Sequence, residues 1–241
     1  MKQIILSFLV ILFFVTARSQ NKPSIQKSWI KTKVENLSNG PIEPDTLYTR
    51  YTFTKSDLKF SFNPAWDDYK QTWALNGNAL TIGFDNYRIE ELTDTSLVYA
   101  LDGFRRFRFL AEEYLSESDK FLDSIGEYKG KALYKANKII TPRYKKESLR
   151  NEIGKSLEGY SIKKGVYFSA TYVITEEGRV ENVQIVNGIT DGFNNAFIKQ
   201  LVKTSKDWRP AAYKGKPIQT QMLYEIKYLN SIIPYQSGQL N

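Results

Sequence analysis

Cysteine and histidine are both absent from this sequence. Without them there is no Ser-His-Asp or Cys-His catalysis, no imidazole proton transfer and no zinc site built from His or Cys. There is also no disulfide framework, and no thiol for a lipid anchor. Proline is scarce, at 8 residues with no Pro-rich tract, which excludes a stiff extended spacer. Gly-rich phosphate loops, EF-hand patterns and nucleophile elbows are missing too. No catalytic residue, cofactor or metal site is therefore expected. Glycosidase chemistry needs two carboxylates facing each other across a cleft. The adjacent pairs Asp67-Asp68, Glu90-Glu91, Glu112-Glu113 and Glu176-Glu177 read as surface charge, and on a strand Glu90 and Glu91 would point to opposite faces.

Aromatic residues are plentiful, at 14% with 16 Tyr and 14 Phe, a bias that suits strands with one packed and one wet face. The N-terminus carries Lys2, an apolar run from Ile4 to Thr16, and the small-x-small pattern Ala17-Arg18-Ser19. That is the pattern of a secretory signal peptide over residues 1–19, with cleavage expected after Ser19; the run is shorter than the roughly 20 apolar residues of a spanning helix. The expected location is the periplasm or cell envelope.

Residues 27–110 read as an antiparallel β domain. Leu47–Thr54 and Leu58–Phe62 alternate apolar and polar residues, the period-2 pattern of a half-buried sheet. Asn76-Gly77-Asn78 and Thr93-Asp94-Thr95 mark hairpin turns. Seven or eight closely spaced strands suggest a barrel or sandwich. Residues 111–141 are polar and read as a linker or helical connector, with a helix expected over Glu112–Ile125. Residues 142–230 form a second unit. A helix is expected over Lys145–Leu157, a hairpin over Tyr167–Thr175 and Arg179–Val186, a helix after an Asp191 cap, and a closing strand over Gln219–Leu229. Residues 231–241 read as a flexible tail. The fold class is α+β.

The C-terminal third resembles the TonB C-terminal domain family. The resemblance rests on the hairpin Tyr167–Val186, the helix after Asp191, and the stretch Asp207–Gln219 with Trp208, Pro210, Ala211, Gly215, Lys216 and Pro217. Pro210 is expected to stop the helix, Gly215 to permit an unusual turn, and Pro217 to stiffen the start of the last strand. The resemblance implies a two-helix, three-strand antiparallel sheet in the periplasm. It also implies that a sheet edge pairs with a short segment of an outer-membrane transporter, the partner being a TonB-dependent transporter or another envelope protein. Lys214, Lys216, Gln219, Gln221 and Leu223 are the candidate partner-binding residues on that strand and its loop. The short cleavable segment and the missing Pro-rich spacer depart from the family's energy transducers and argue against force transmission. The N-terminal half is weakly similar to small lipocalin-like domains, through Trp29, the alternating strands, the Asn-Gly hairpin and the Leu92–Asp94 turn.

Charge divides the chain. Residues 20–119 hold 12 Lys and Arg against 15 Asp and Glu, a net of −3, and residues 120–241 hold 20 against 11, a net of +9. A basic exported unit suits an acidic receptor, peptidoglycan carboxylates or anionic lipid, or simply a solvated surface, and export argues against nucleic acid. Arg106 and Arg108 are expected on one strand face with Phe107 and Phe109 on the other. Two functions compete: a binding or adaptor protein that docks a partner strand, and a carrier whose barrel holds a small apolar ligand. Trp66, in an apparent loop beside Pro64, is the candidate ligand contact for the carrier.

Overall fold

A computed structural model describes residues 24–38, 47–62, 69–146, 148–160, 166–230 and 233–235. The expected signal segment 1–19 and Trp66 lie outside the described residues. The chain is mostly β, with an eight-stranded closed antiparallel barrel, a second seven-stranded sheet and few helices. Among the described residues no helix is long and apolar enough to cross a membrane.

The barrel runs β1 (Ser28–Asn36), β2 (Arg50–Phe53), β3 (Asp57–Ser61), β4 (Tyr69–Asn76), β5 (Ala79–Ile82), β6 (Asp85–Leu92), β7 (Ser96–Leu101) and β8 (Arg105–Ala111). Each strand pairs antiparallel with the next, and β1 closes on β8 through Trp29↔Ala111 and Lys31↔Phe109. Closure leaves no open edge. The period-2 pattern sorts the faces: Phe109 and Phe107 pack inward, whereas Arg106 and Arg108 hold Glu35 outside, at 3.1 and 3.0 Å. One end of the barrel is shut by its own N-terminal approach. Buried Trp29 donates its indole N–H to the Ile25 carbonyl at 2.9 Å, and both residues join the barrel core.

The second sheet has the order β13-β12-β16-β10-β9, from β9 (Ser124–Tyr128), β10 (Lys131–Lys135), β12 (Tyr167–Ile174), β13 (Val180–Asn187) and β16 (Lys216–Asn230); β15 (Ala211–Tyr213) and β17 (Ile233–Tyr235) also pair with β16. A two-stranded ribbon, β11 (Arg143–Tyr144) and β14 (Trp208–Arg209), stands beside it. Among the described residues there are three α-helices: α1 (Glu112–Ser116), α2 (Leu149–Leu157) and α3 (Asp191–Lys203). Leu149, Ile153 and Leu157 of α2, and Phe193, Phe197 and Leu201 of α3, pack on Phe168, Tyr172, Tyr224 and Trp208. Full burial of a large apolar side chain is worth about 1.5–3 kcal/mol, so this cluster is a main source of the unit's stability.

Several expectations are corrected. Residues 111–141 are not a helical linker. The helix there is five residues long, and the chain then enters the β9–β10 hairpin. The two-residue turn Lys129-Gly130, with φ of 52° and 73°, matches the right-handed strand twist, and its Lys-Gly sequence was the overlooked signal. The three antiparallel strands β13, β12 and β16 are therefore extended beyond a three-strand sheet. The cap of α3 is Thr190, whose hydroxyl accepts from the Phe193 N–H at 3.2 Å, and Asp191 is the first helical residue. The helix ends at Lys203, well before Pro210, with the chain turning at Lys206 (φ 77°). In the expected tail, Ile233–Tyr235 pair with β16.

A third apolar cluster joins the two units. Ile30 and Leu110 on the outer wall of the barrel meet Leu115, Ile139, Ile140, Ala211 and Ile218. Beside it, Glu112 binds the fully buried Arg50 of β2 at 2.6 Å and Arg143 of β11 at 3.5 Å. That carboxylate is a charge bridge between barrel and ribbon.

Candidate functional site: one lane of the C-terminal sheet

Strand β16 organises the C-terminal unit. On one side it pairs antiparallel with β12 along eight residues, from Thr220↔Ile174 to Lys227↔Tyr167. On the other side its partners are short. β10 runs parallel to it at Gln219, Thr220 and Gln221, and among the described residues β17 is registered with it at Lys227 and Asn230. The Gln221 carbonyl accepts from the Ala136 N–H at 2.9 Å, so the odd-numbered backbone groups face the β10 side. By strand alternation the N–H and C=O groups of Leu223 and Glu225 face the same lane, between the end of β10 and the start of β17. Among the described residues no strand is registered with Leu223 or Glu225 on this side, and backbone groups left so are a template for another strand.

The candidate residues divide along this geometry. Gln219 is 3% exposed, and its amide donates to the carbonyls of Tyr128 (2.9 Å) and Lys131 (2.8 Å), pinning the β9–β10 turn over the sheet. Gln219 and Gln221 are thus covered by β10 and do not form the open edge expected of the last strand. The cause is the added hairpin, whose pairing partner lies about 85 residues away in sequence. Leu223 is 39% exposed and lies beside this lane. Lys214 sits in the β15–β16 turn, where Asp119 holds its ammonium at 2.9 Å and also accepts from the Tyr213 hydroxyl. Hydrogen bonding to Tyr213 and to Asp119 raises the Lys214 pKa above its usual value, so its charge is held against Asp119. Lys216 is exposed at the beginning of β16. Seven residues separate it from Leu223, roughly 23 Å of strand, so the lysine loop and the lane are separate places.

The sheet curls so that its ends approach. Tyr128 and Lys129 in the hairpin donate to the Glu181 carboxylate on β13, at 3.1 and 2.6 Å. Hydrogen bonding to Lys129 leads the causes that hold the Glu181 carboxyl below its ordinary range. Inside the curl Asn187 donates to the Ser169 hydroxyl at 2.7 Å.

The barrel interior beside and beyond Trp29 holds a second set of groups, and sequence reading missed most of it. Tyr51 lies across from Trp29 in register, and its ring sits edge-on to Phe60 and Phe109, with centroids at 4.6 and 4.9 Å. Tyr99 stacks on Phe109 at 5.1 Å and is 2% exposed. Tyr87 lies 5.0 Å from Tyr99, and its hydroxyl donates to Asp85 at 3.3 Å. Burial, reinforced by neighbouring phenols, raises the pKa of Tyr51 and Tyr99; burial, then Asp85, pushes Tyr87 up to about 12. Among the described residues neither Tyr51 nor Tyr99 has a hydrogen bond to its hydroxyl. The signal was the alternation that sends Tyr51, Tyr87 and Tyr99 to one face. What it could not give is their convergence from three strands.

Among the described residues no group of three or more Asp and Glu could hold a metal ion. No protein-family model, no curated protein and no solved structure matches the chain.

Proposed function

We propose that the chain is an exported cell-envelope binding or adaptor protein that takes up an extended segment of a partner by strand addition on β16, through a C-terminal unit of the TonB C-terminal kind. The element order α2, β12, β13, α3, β16, with both helices on one face of β13-β12-β16, supports that reading. The single observation that carries it is the lane beside Leu223 and Glu225. Displacing β17, whose register with β16 breaks between Lys227 and Asn230, would extend this lane to Asn230. Main-chain hydrogen bonds then supply affinity, and the exposed Leu223 side chain supplies choice. The partner in this reading is the N-terminal segment of an outer-membrane transporter. Peptidoglycan and anionic lipid would be further contacts for the basic surface.

Site-specific photo-crosslinking in living cells tests this. A probe at Leu223 is expected to capture a transporter segment, and one at the covered Gln219 to capture nothing. Truncation after Asn230 should raise the yield from Leu223. An exported, folded protein that gives no adduct from Leu223, with or without residues 231–241, overturns the proposal.

A further inference from the structure

We propose that the groove between α2 and α3 binds an extended acidic peptide of a protein partner. The site lies on the helical layer and is independent of the strand lane at the edge of the sheet. The groove has a volume of about 600 Å³ and is lined by Ser148, Asn151, Glu152, Lys155 and Ser156 along α2 and by Gln200 of α3. The five α2 positions recur at i, i+3, i+4, i+7 and i+8, the spacing by which a helix normally builds an apolar packing stripe. The apolar stripe of α2 is a different one, Leu149, Ile153 and Leu157, and it is buried on the sheet. A polar stripe on a convex face needs only solvent. This one borders a second helix across a cleft, and concave places with convergent polar groups are where ligands bind.

The lining decides the chemistry of the occupant. Among the described residues the side chains of Asn151, Lys155 and Gln200 make no hydrogen bond or ion pair. The carboxylate in the lining is already engaged: Glu152 accepts from the Tyr144 hydroxyl and pairs with Lys146 at 3.3 Å. The two hydroxyls are engaged as well. Ser148 accepts from the Asn151 N–H at 3.1 Å, and Ser156 donates to the Ile153 carbonyl at 2.7 Å. What the groove offers is one ammonium and two carboxamides, one carboxamide on each helix. Each carboxamide presents an N–H donor beside a C=O acceptor, the combination that matches a peptide group. Lys155 selects an acidic side chain next to that peptide group. Charge agrees at larger scale, since residues 120–241 hold 20 Lys and Arg against 11 Asp and Glu. From Ser148 to Ser156 the helix rises about 12 Å, the length of three or four residues of extended chain. A bare anion would leave the carboxamide carbonyls unmatched, and a neutral peptide would leave Lys155 unmatched.

NMR titration of the nitrogen-15-labelled full chain with a capped pentapeptide of alternating glycine and glutamate tests the proposal, with the glutamine counterpart and sodium phosphate as comparisons. Saturable shifts are expected at the amides of residues 148–156 and of Gln200, with the glutamine peptide about fivefold weaker. Lys155→Gln alters an exposed residue and should weaken the glutamate peptide about fivefold while leaving the glutamine peptide unchanged, the upper end for an exposed ion pair. Gln200→Ala should weaken both peptides, and the spectrum of each variant reports whether it is folded. Three results overturn the proposal: a folded chain whose α2 and α3 amides do not respond to the glutamate peptide; Lys155→Gln binding that peptide as tightly as the parent; or shifts that phosphate alone reproduces at the same concentration, which would make the groove a site for small anions only.

Discussion

Replacing Gly178 by alanine puts a methyl group where the Trp208 backbone already is. Gly178 closes the β12–β13 turn with φ +77°, its N–H bonded to the Thr175 carbonyl at 2.9 Å and its carbonyl accepting from the Lys206 N–H at 3.1 Å. A Cβ there would stand 2.4 Å from the Trp208 carbonyl oxygen, about 1 Å inside ordinary contact. Two costs add. The left-handed backbone costs a non-glycine residue about 1–2 kcal/mol. Forcing a carbonyl aside in packed structure costs about 1–3 kcal/mol more. The Trp208 backbone cannot yield freely, because Trp208 pairs with Tyr144 in the β11–β14 ribbon and its indole donates to the Thr204 hydroxyl at 3.0 Å. Gly215 is the control: its φ is +72°, but a Cβ there meets nothing within 4 Å. Gly215→Ala should therefore show the backbone cost alone. The expected difference between the variants is about 2 kcal/mol, or about 1 M in urea midpoint for a slope of about 2 kcal/mol/M. Hydrogen exchange of the β12 amides against urea measures it within the C-terminal unit. Equal losses for Gly178→Ala and Gly215→Ala would refute the clash and with it the tight seat of Trp208 against this turn.

Two further outcomes follow from the contacts. Gln219→Leu removes the amide that serves the Tyr128 and Lys131 carbonyls, and should cost about 1–3 kcal/mol and speed amide exchange in β9 and β10 while the β12–β16 ladder stays protected; unchanged exchange in the hairpin would contradict the pinning role. Glu35 is held down to about 2 by hydrogen bonds from Arg108 first, then Lys33 and Arg106. Because its folded pKa lies below the ordinary 4.5, its contribution is present above about pH 4.5 and is lost as pH falls toward 2. Thermal melts across that window should show a steeper acid loss for the parent than for Glu35→Gln, and parallel curves would remove Glu35 from the account.

The barrel strands were legible because each carries its own evidence. Trp29, Tyr51, Phe60, Leu97 and Phe109 recur at strand alternation, and Gly77 opens the β4–β5 turn with φ 58°. The helices were legible from Ile153 and Leu157 and from Phe193, Phe197 and Leu201, although the cap of α3 moved one residue because Thr190 competes with Asp191 for that role. The polar text of residues 111–141 was misread because β9 is exposed along four of its five residues, so no apolar alternation announces a strand there.

Sequence by itself determined which segments extend, which coil and which faces are apolar, since these follow from side-chain period and turn chemistry within a few residues. Tertiary structure alone decided that β1 closes on β8, that β10 covers Gln219 and Gln221 and ends before Leu223, and that the rings of Tyr51, Tyr87 and Tyr99 join one aromatic cluster with Phe109. Each of those outcomes is a register between segments tens of residues apart. Local patterns leave such registers open, and the packing of the whole sheet selects among them.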